Sequence, residues 1–185
     1  MTVTIAKWRL DQYHQIVDAG ILDDQSVELL NGEIIEMPPE GLEHAQLSTD
    51  AADYLRSRLG VQAIVRDGKP ITLPDSNSEP QPDLTIAAPL RQVYRTEHHP
   101  YPENIFWVVE YANTSLAKDL DAKRKAYASE EIREYWVVNL KARSLTVLRE
   151  PSQGDYQSEQ TMTAGDIYPV AFPEIAIAVQ RLLEG

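Results

Sequence analysis

The chain has 185 residues, 43% of them hydrophobic and 25% charged, enough to bury one core as a single domain spanning 1–185. It contains no cysteine, which excludes disulfides and thiolate-bound zinc or iron–sulfur centres. Its formal net charge of -12 argues against a protein whose task is to coat nucleic acid, because phosphate neutralisation calls for lysine and arginine.

No stretch approaches the roughly 18 apolar residues of a membrane span. The first residues, MTVTIAKWRLDQYHQ, lack the apolar run of a signal peptide, so a cytoplasmic location with no membrane partner is expected. Charge is uneven along the chain. From Lys118 to Arg149 eight basic residues outnumber five acidic ones, a pattern that fits either a solvated face or a phosphate-binding one.

In chain order, helix is expected over 10–19 with Gly20 as its stop. A hairpin follows over 27–37, turning at Asn31-Gly32, where both residues tolerate positive φ. Residues 43–59 place Ala45, Leu47, Ala51, Ala52, Leu55 and Leu59 near one helical face, with Gly60 as the cap. VQAIVRDG and KPITLP read as two strands joined at Asp67-Gly68. A short strand LTIAA follows Pro82-Asp83, and residues 88–104, with three prolines, read as a surface loop. NIFWVVEYA reads as a buried strand, 116–129 as a helix, and EYWVVNL with SLTVLRE as a strand pair turning at 141–143. The tail alternates weakly and ends in the amphipathic run IAIAVQRLL. The order implies an α/β fold, a mixed sheet with helices on its faces, preceded by a helix and a β-hairpin.

Three features stand out chemically. Glu110 interrupts an apolar strand, so its carboxylate either meets a compensating partner or marks where the strand reaches solvent. Asp83, pinned by Pro82, either opens a strand beside it or merely makes a turn. Asp119, Lys123 and Tyr127 recur at i, i+4 and i+8 and share one helical stripe, which Leu116 and Leu120 tilt inward; the alternative is a surface ion pair. Trp107, Trp136 and Tyr135 read as core, His98-His99 as an exposed pair and His14 as a helix-surface residue.

The segments LLNGEIIEM, QPDLTI, VVEYANTS, the D-L-x-A-K-x-x-x-Y run at 119–127 and EYWVVN, taken in order from about residue 9 to 150, resemble the Uma-two family of bacterial restriction-endonuclease-like proteins. The resemblance implies a PD-(D/E)XK nuclease fold and hydrolysis of phosphodiester bonds in DNA. It places Asp83 at the motif aspartate and Glu110 at the strand glutamate, both as ligands of Mg²⁺ or Mn²⁺, helped by the Tyr111 carbonyl. The position two residues beyond that glutamate, usually lysine, is Ala112, and Lys123 from the following helix is the matching residue. Glu28 matches a further acidic position and His44 a frequent histidine. Asn113-Thr114-Ser115 replaces the family's S-P-S. Arg124 and Lys125, with Arg91 and Arg95, are expected to contact phosphates, and Lys123→Ala to abolish cleavage without harming the fold. A homodimer would suit a nuclease that cuts two strands. The rival expectation is a catalytically silent nuclease fold that binds proteins or serves a structural role.

Overall fold

The computed structural model describes residues 5–113 and 119–185. Helix α1 spans Leu10–Asp18, and strands β1 (Val27–Leu30) and β2 (Glu33–Glu36) pair antiparallel, Leu30 opposite Glu33. Asn31 and Gly32 turn the hairpin at φ 50° and 73°, the consecutive positive values a type I′ turn requires. β1 is buried along its whole length whereas β2 is largely exposed. The hairpin therefore carries Glu28 into the interior.

Helix α2, Leu42–Leu59, buries Leu47, Ala51, Ala52, Leu55 and Leu59 of the face its spacing foretells, while Ala45 in its first turns stays exposed. It stops at Gly60, whose φ of 56° suits glycine and whose N–H donates to Arg56 O at 3.0 Å.

A six-stranded mixed sheet follows in the order β3 (Ile64–Asp67), β4 (Leu84–Ala87), β5 (Ile105–Ala112), β6 (Glu134–Asn139), β7 (Ser144–Ser152), β8 (Asp155–Met162). Neighbours run antiparallel except β5 and β6, which are parallel. A parallel pair needs a crossover, which residues 113–133 supply. That connection includes a π-helical turn, Asp119–Lys123, which leads into an α-helix at Arg124–Ser129. The expected helix start, Leu116 to Lys118, lies outside the described residues.

Side chains alternate across the sheet and build a core on each face. Trp107, Val109 and Tyr111 of β5 join Leu84, Ile86, Trp136 and Val138 against Ala51, Leu55 and Leu59 of α2. Val108 and Ala112 join Tyr135 and Val137 against Tyr127 and Ala128 of the crossover helix. Glu110, with the parity of Val108 and Ala112, belongs to this second face. Trp107, Trp136 and Tyr135 are core residues, as the sequence suggests.

Three expectations need correction. KPITLP forms no strand beside β3, because β3 pairs with β4 instead, Asp67 opposite Leu84. Pro70 and Pro74 lack the N–H groups a ladder needs, and residues 71–80 fold back on themselves, Ile71 N donating to Pro80 O at 3.0 Å. The 88–104 segment is not all loop: it contains helix α3, Arg91–Thr96, and a 3₁₀ turn at Pro102–Asn104. The crossover helix at Arg124–Ser129 is hereafter α4. The tail contains β8, whose polar sequence DYQSEQTM hides it because it is an edge strand exposed along much of its length. Beyond it β9 (Asp166–Ile167) pairs with β10 (Ile177–Ala178), and a short helix α5, Gln180–Leu183, packs on α2. Among the described residues no helix is long and apolar enough to cross a membrane.

One buried charge anchors the sheet away from Glu110. Glu134 is fully buried and accepts from Trp136 Nε1 (2.8 Å), Arg149 Nη2 (2.6 Å) and Val170 N (2.7 Å). Glu134→Ala strands the half-buried Arg149 and an amide together, a loss of about 3–5 kcal/mol. A urea denaturation midpoint that falls with an unchanged slope checks this; an unmoved midpoint would mean water replaces the carboxylate.

Candidate active site

Glu110 lies inside β5 rather than at its solvent end and is only 4% exposed. An ionised carboxylate there needs partners, and two donors reach the same oxygen. Lys123 Nζ donates to Oε1 at 2.7 Å and Tyr127 OH at 2.9 Å. Lys123 Nζ also lies 3.7 Å from Glu28 Oε2 and 3.9 Å from Asp119 Oδ1. Asp119 and Lys123 are both buried, so the surface-pair alternative fails and the inward stripe holds. The π turn that presents them is a wide local geometry common at functional sites.

Asp83 arrives from the other side. It sits immediately before β4, where its Oδ2 accepts from Tyr111 N at 2.5 Å across the β4–β5 junction. Its Oδ1 lies 3.0 Å from His44 Nε2 in the first turn of α2. That approach is at ion-pair distance but misaligned for a hydrogen bond, so among the described residues Nε2 is buried without a hydrogen-bond partner. Glu28 Oε2 accepts from Gln81 N at 3.2 Å, which ties the hairpin to the segment leading into Asp83.

These residues line one cavity of about 340 Å³, together with Met37, Pro38, Pro39, Glu40 and Gly41 of the connection between β2 and α2. Among the described residues, five carboxylates (Glu28, Glu40, Asp83, Glu110, Asp119) line it with one lysine and one histidine. Burial, and then the neighbouring charges, set the titration of the pocket. Burial pushes Glu110 up to about 8; Lys123 opposes this, and Asp83 and Asp119 add to it. Burial disfavours the Lys123 ammonium, but Glu110, Glu28 and Asp119 outweigh it and raise its pKa. Burial likewise acts to lower His44, yet the carboxylates of Asp83, Glu40 and Asp119 hold it above the usual histidine value. A pocket that retains protons in this way is one that attracts cations.

The structure thus gathers Asp83, Glu110, Lys123, Glu28 and His44. It does not bring Arg124 or Lys125 to them. Arg124 is held by Asp155 (2.5 Å) and Glu159 (2.7 Å) of β8, and Lys125 pairs with Asp121; neither lines the cavity. Arg91 is on the exposed α3, and Arg95 lines a separate cleft with His14, His98 and His99. There His14 Nε2 pairs with the buried Glu79 at 2.8 Å, and the two adjacent histidines are half-buried rather than exposed. Sequence reasoning missed Glu40; its signal is the acid four residues ahead of His44, in the stiff segment after Pro38-Pro39. It also missed Tyr127 as a donor to Glu110, although the shared stripe contained the information.

Comparison with known proteins agrees with this architecture. The crystal structure of a "putative nuclease belonging to DUF820" from Anabaena variabilis is similar at a TM-score of 0.70 and 15% identity, covering 94% of this chain and 96% of that one. Its likeness shows the fold. Among curated proteins no sequence matches. The model of the Uma2 family, described as "Putative restriction endonuclease", matches residues 10–180. The chain belongs to the Uma2 family.

Proposed function

We propose that this protein is a divalent-metal-dependent nuclease that hydrolyses phosphodiester bonds of DNA. The observation that carries the reading is the convergence of Asp83, Glu110, Glu28 and Lys123, from four separate segments, on one cavity with carboxylates in excess. Family membership supports it.

The donor set fits a hard divalent cation. Oxygen donors dominate, the chain has no thiolate, and the buried His44 nitrogen beside Asp83 lacks a hydrogen-bond partner among the described residues. Such donors suit Mg²⁺ or Mn²⁺, and Asp83 and Glu110 are the residues assigned to hold it. When bound, such an ion offsets charge on the scissile phosphate and acidifies water in the site.

The chain's own groups do the rest. Lys123 supplies a fixed positive charge, and its three carboxylate neighbours keep the ammonium in place while negative charge grows on the phosphate. Tyr127 donates to Glu110 and fixes that carboxylate's orientation. The Tyr111 N–H does the same for Asp83. Preorganisation of this kind costs nothing at the moment of reaction.

One observation favours a second reading, a silent nuclease fold that serves as a protein-binding scaffold: the net charge is -12 and the basic residues beside Lys123 are already paired. A plasmid cleavage assay in Mg²⁺ or Mn²⁺ separates the two. The nuclease reading expects nicking or linearisation that EDTA stops. Asp83→Asn and Glu110→Gln each lower it by about 100-fold or more. Metal binding without cleavage would favour the scaffold.

Metal binding is also readable without turnover. At about 100 times its Kd, Mn²⁺ adds about 2.7 kcal/mol to the stability of the native protein. Thermal or urea unfolding should show that increment in the wild-type chain and lose it in Asp83→Asn.

The burial of Lys123 corrects the expectation that Lys123→Ala leaves the fold unharmed. Removing the ammonium takes a cation from beside three buried carboxylates, at a cost of about 3–5 kcal/mol. Lys123→Met, which keeps the side-chain volume, is the better variant. It should lose cleavage yet bind Mn²⁺ as tightly as wild type or more so, since a competing cation is gone. Loss of both together would mean that Lys123 only supports the fold.

A further inference from the structure

We propose that Glu40 and His44 act with Asp83 as donors to the catalytic cation, so that an imidazole nitrogen enters its ligand set and Mn²⁺ is preferred to Mg²⁺. The proposal rests on the metal-dependent reading above and deepens it. Three observations carry it.

The first is occupancy. Glu110 Oε1 is already engaged by Lys123 and Tyr127, whereas Asp83 Oδ1 faces His44 Nε2. Asp83 cannot swing away from this position without giving up the Tyr111 N–H. The second is the pairing itself. His44 Nε2 is buried at ion-pair distance from Asp83 Oδ1 without a well-formed hydrogen bond, so a shared cation can take the place of the proton between them without moving the ring. The ring is packed beside Tyr111, with centroids 6.0 Å apart.

The third is spacing. An octahedral ion with bonds of about 2.1 Å separates adjacent donors by about 3.0 Å and opposite ones by about 4.2 Å. His44 Nε2 and Asp83 Oδ1 are 3.0 Å apart, and one donor atom from each of Glu40, His44 and Asp83 lies within 4.8 Å of the others. Only small side-chain movements separate this arrangement from a coordination shell. Glu40 is presented by a segment that Pro38 and Pro39 stiffen, directly ahead of α2. Mg²⁺ favours oxygen donors and water, whereas imidazole suits transition metals, so a nitrogen in the shell tilts selection toward Mn²⁺.

Pulsed electron paramagnetic resonance of Mn²⁺ added to the purified full chain tests this directly. Nitrogen-14 modulation of the Mn²⁺ signal is expected in the wild-type protein and absent in His44→Gln. Calorimetry should show Mn²⁺ binding weakened about 10- to 100-fold in His44→Gln and in Glu40→Gln, with Mg²⁺ affected less by the first. Circular dichroism confirms that each variant is folded. Bound Mn²⁺ with no nitrogen coupling, or coupling that persists in His44→Gln, overturns the proposal and leaves the metal-dependent reading standing. Failure of the wild-type chain to bind Mn²⁺ at all overturns both.

Discussion

A lysine ammonium held among Glu110, Glu28 and Asp119 decides how the segments around the candidate site can meet. None of these groups has bulk water to fall back on, since each is nearly or fully buried. Taking such charges out of water costs several kcal/mol per ion, which is repaid only when partners stand at short range. The hairpin, the strand β5 and the crossover turn therefore have to arrive together. Tyr127 and Gln81 reinforce the arrangement through the Glu110 and Glu28 carboxylates. Among the described residues the acids that line the cavity outnumber the cations, and that imbalance is the physical reason that the cavity reads as a site rather than as core.

The same imbalance bears on how an acidic chain can approach a polyanion. Arg124 and Lys125, the nearest basic neighbours of Lys123 in sequence, spend their charge on Asp155, Glu159 and Asp121. Phosphate attraction in this protein thus cannot come from those two residues as they stand. In the proposed nuclease, a divalent ion would concentrate two positive charges at the point of reaction, where low dielectric magnifies them. Surface charge governs long-range capture, and site charge governs chemistry; the proposed function relies on the second.

Much of the fold could be read directly. The Asn31-Gly32 turn, the buried stripe of α2 and the apolar run of β5 ahead of Glu110 each have one dominant cause, and each forms. The misreadings share a different origin. KPITLP has strand-like residues, but β4 takes the pairing edge of β3, a competition between distant segments that local pattern does not record. β8 is nearly all polar, and its identity as a strand rests on its partner β7 rather than on its own side chains. Asp83 and Glu110 were legible as positions in a motif and Asp119 as part of an inward stripe; that Glu40 approaches His44 depends on tertiary placement.

The place of the lysine shows how geometry can substitute for motif spacing. Two residues beyond Glu110 stands Ala112, fully buried on the same face and packed in the cluster that includes Tyr127. A lysine there would have to thread its ammonium past the ring whose hydroxyl already contacts Glu110. Lys123 approaches instead from the crossover that the parallel β5–β6 pair makes necessary, and reaches the same carboxylate at 2.7 Å. Strand topology requires a connection over this face, the connection carries the cation, and the freed strand position is filled by a methyl group. What the site preserves is a positive charge at hydrogen-bond distance from Glu110, whichever segment delivers it.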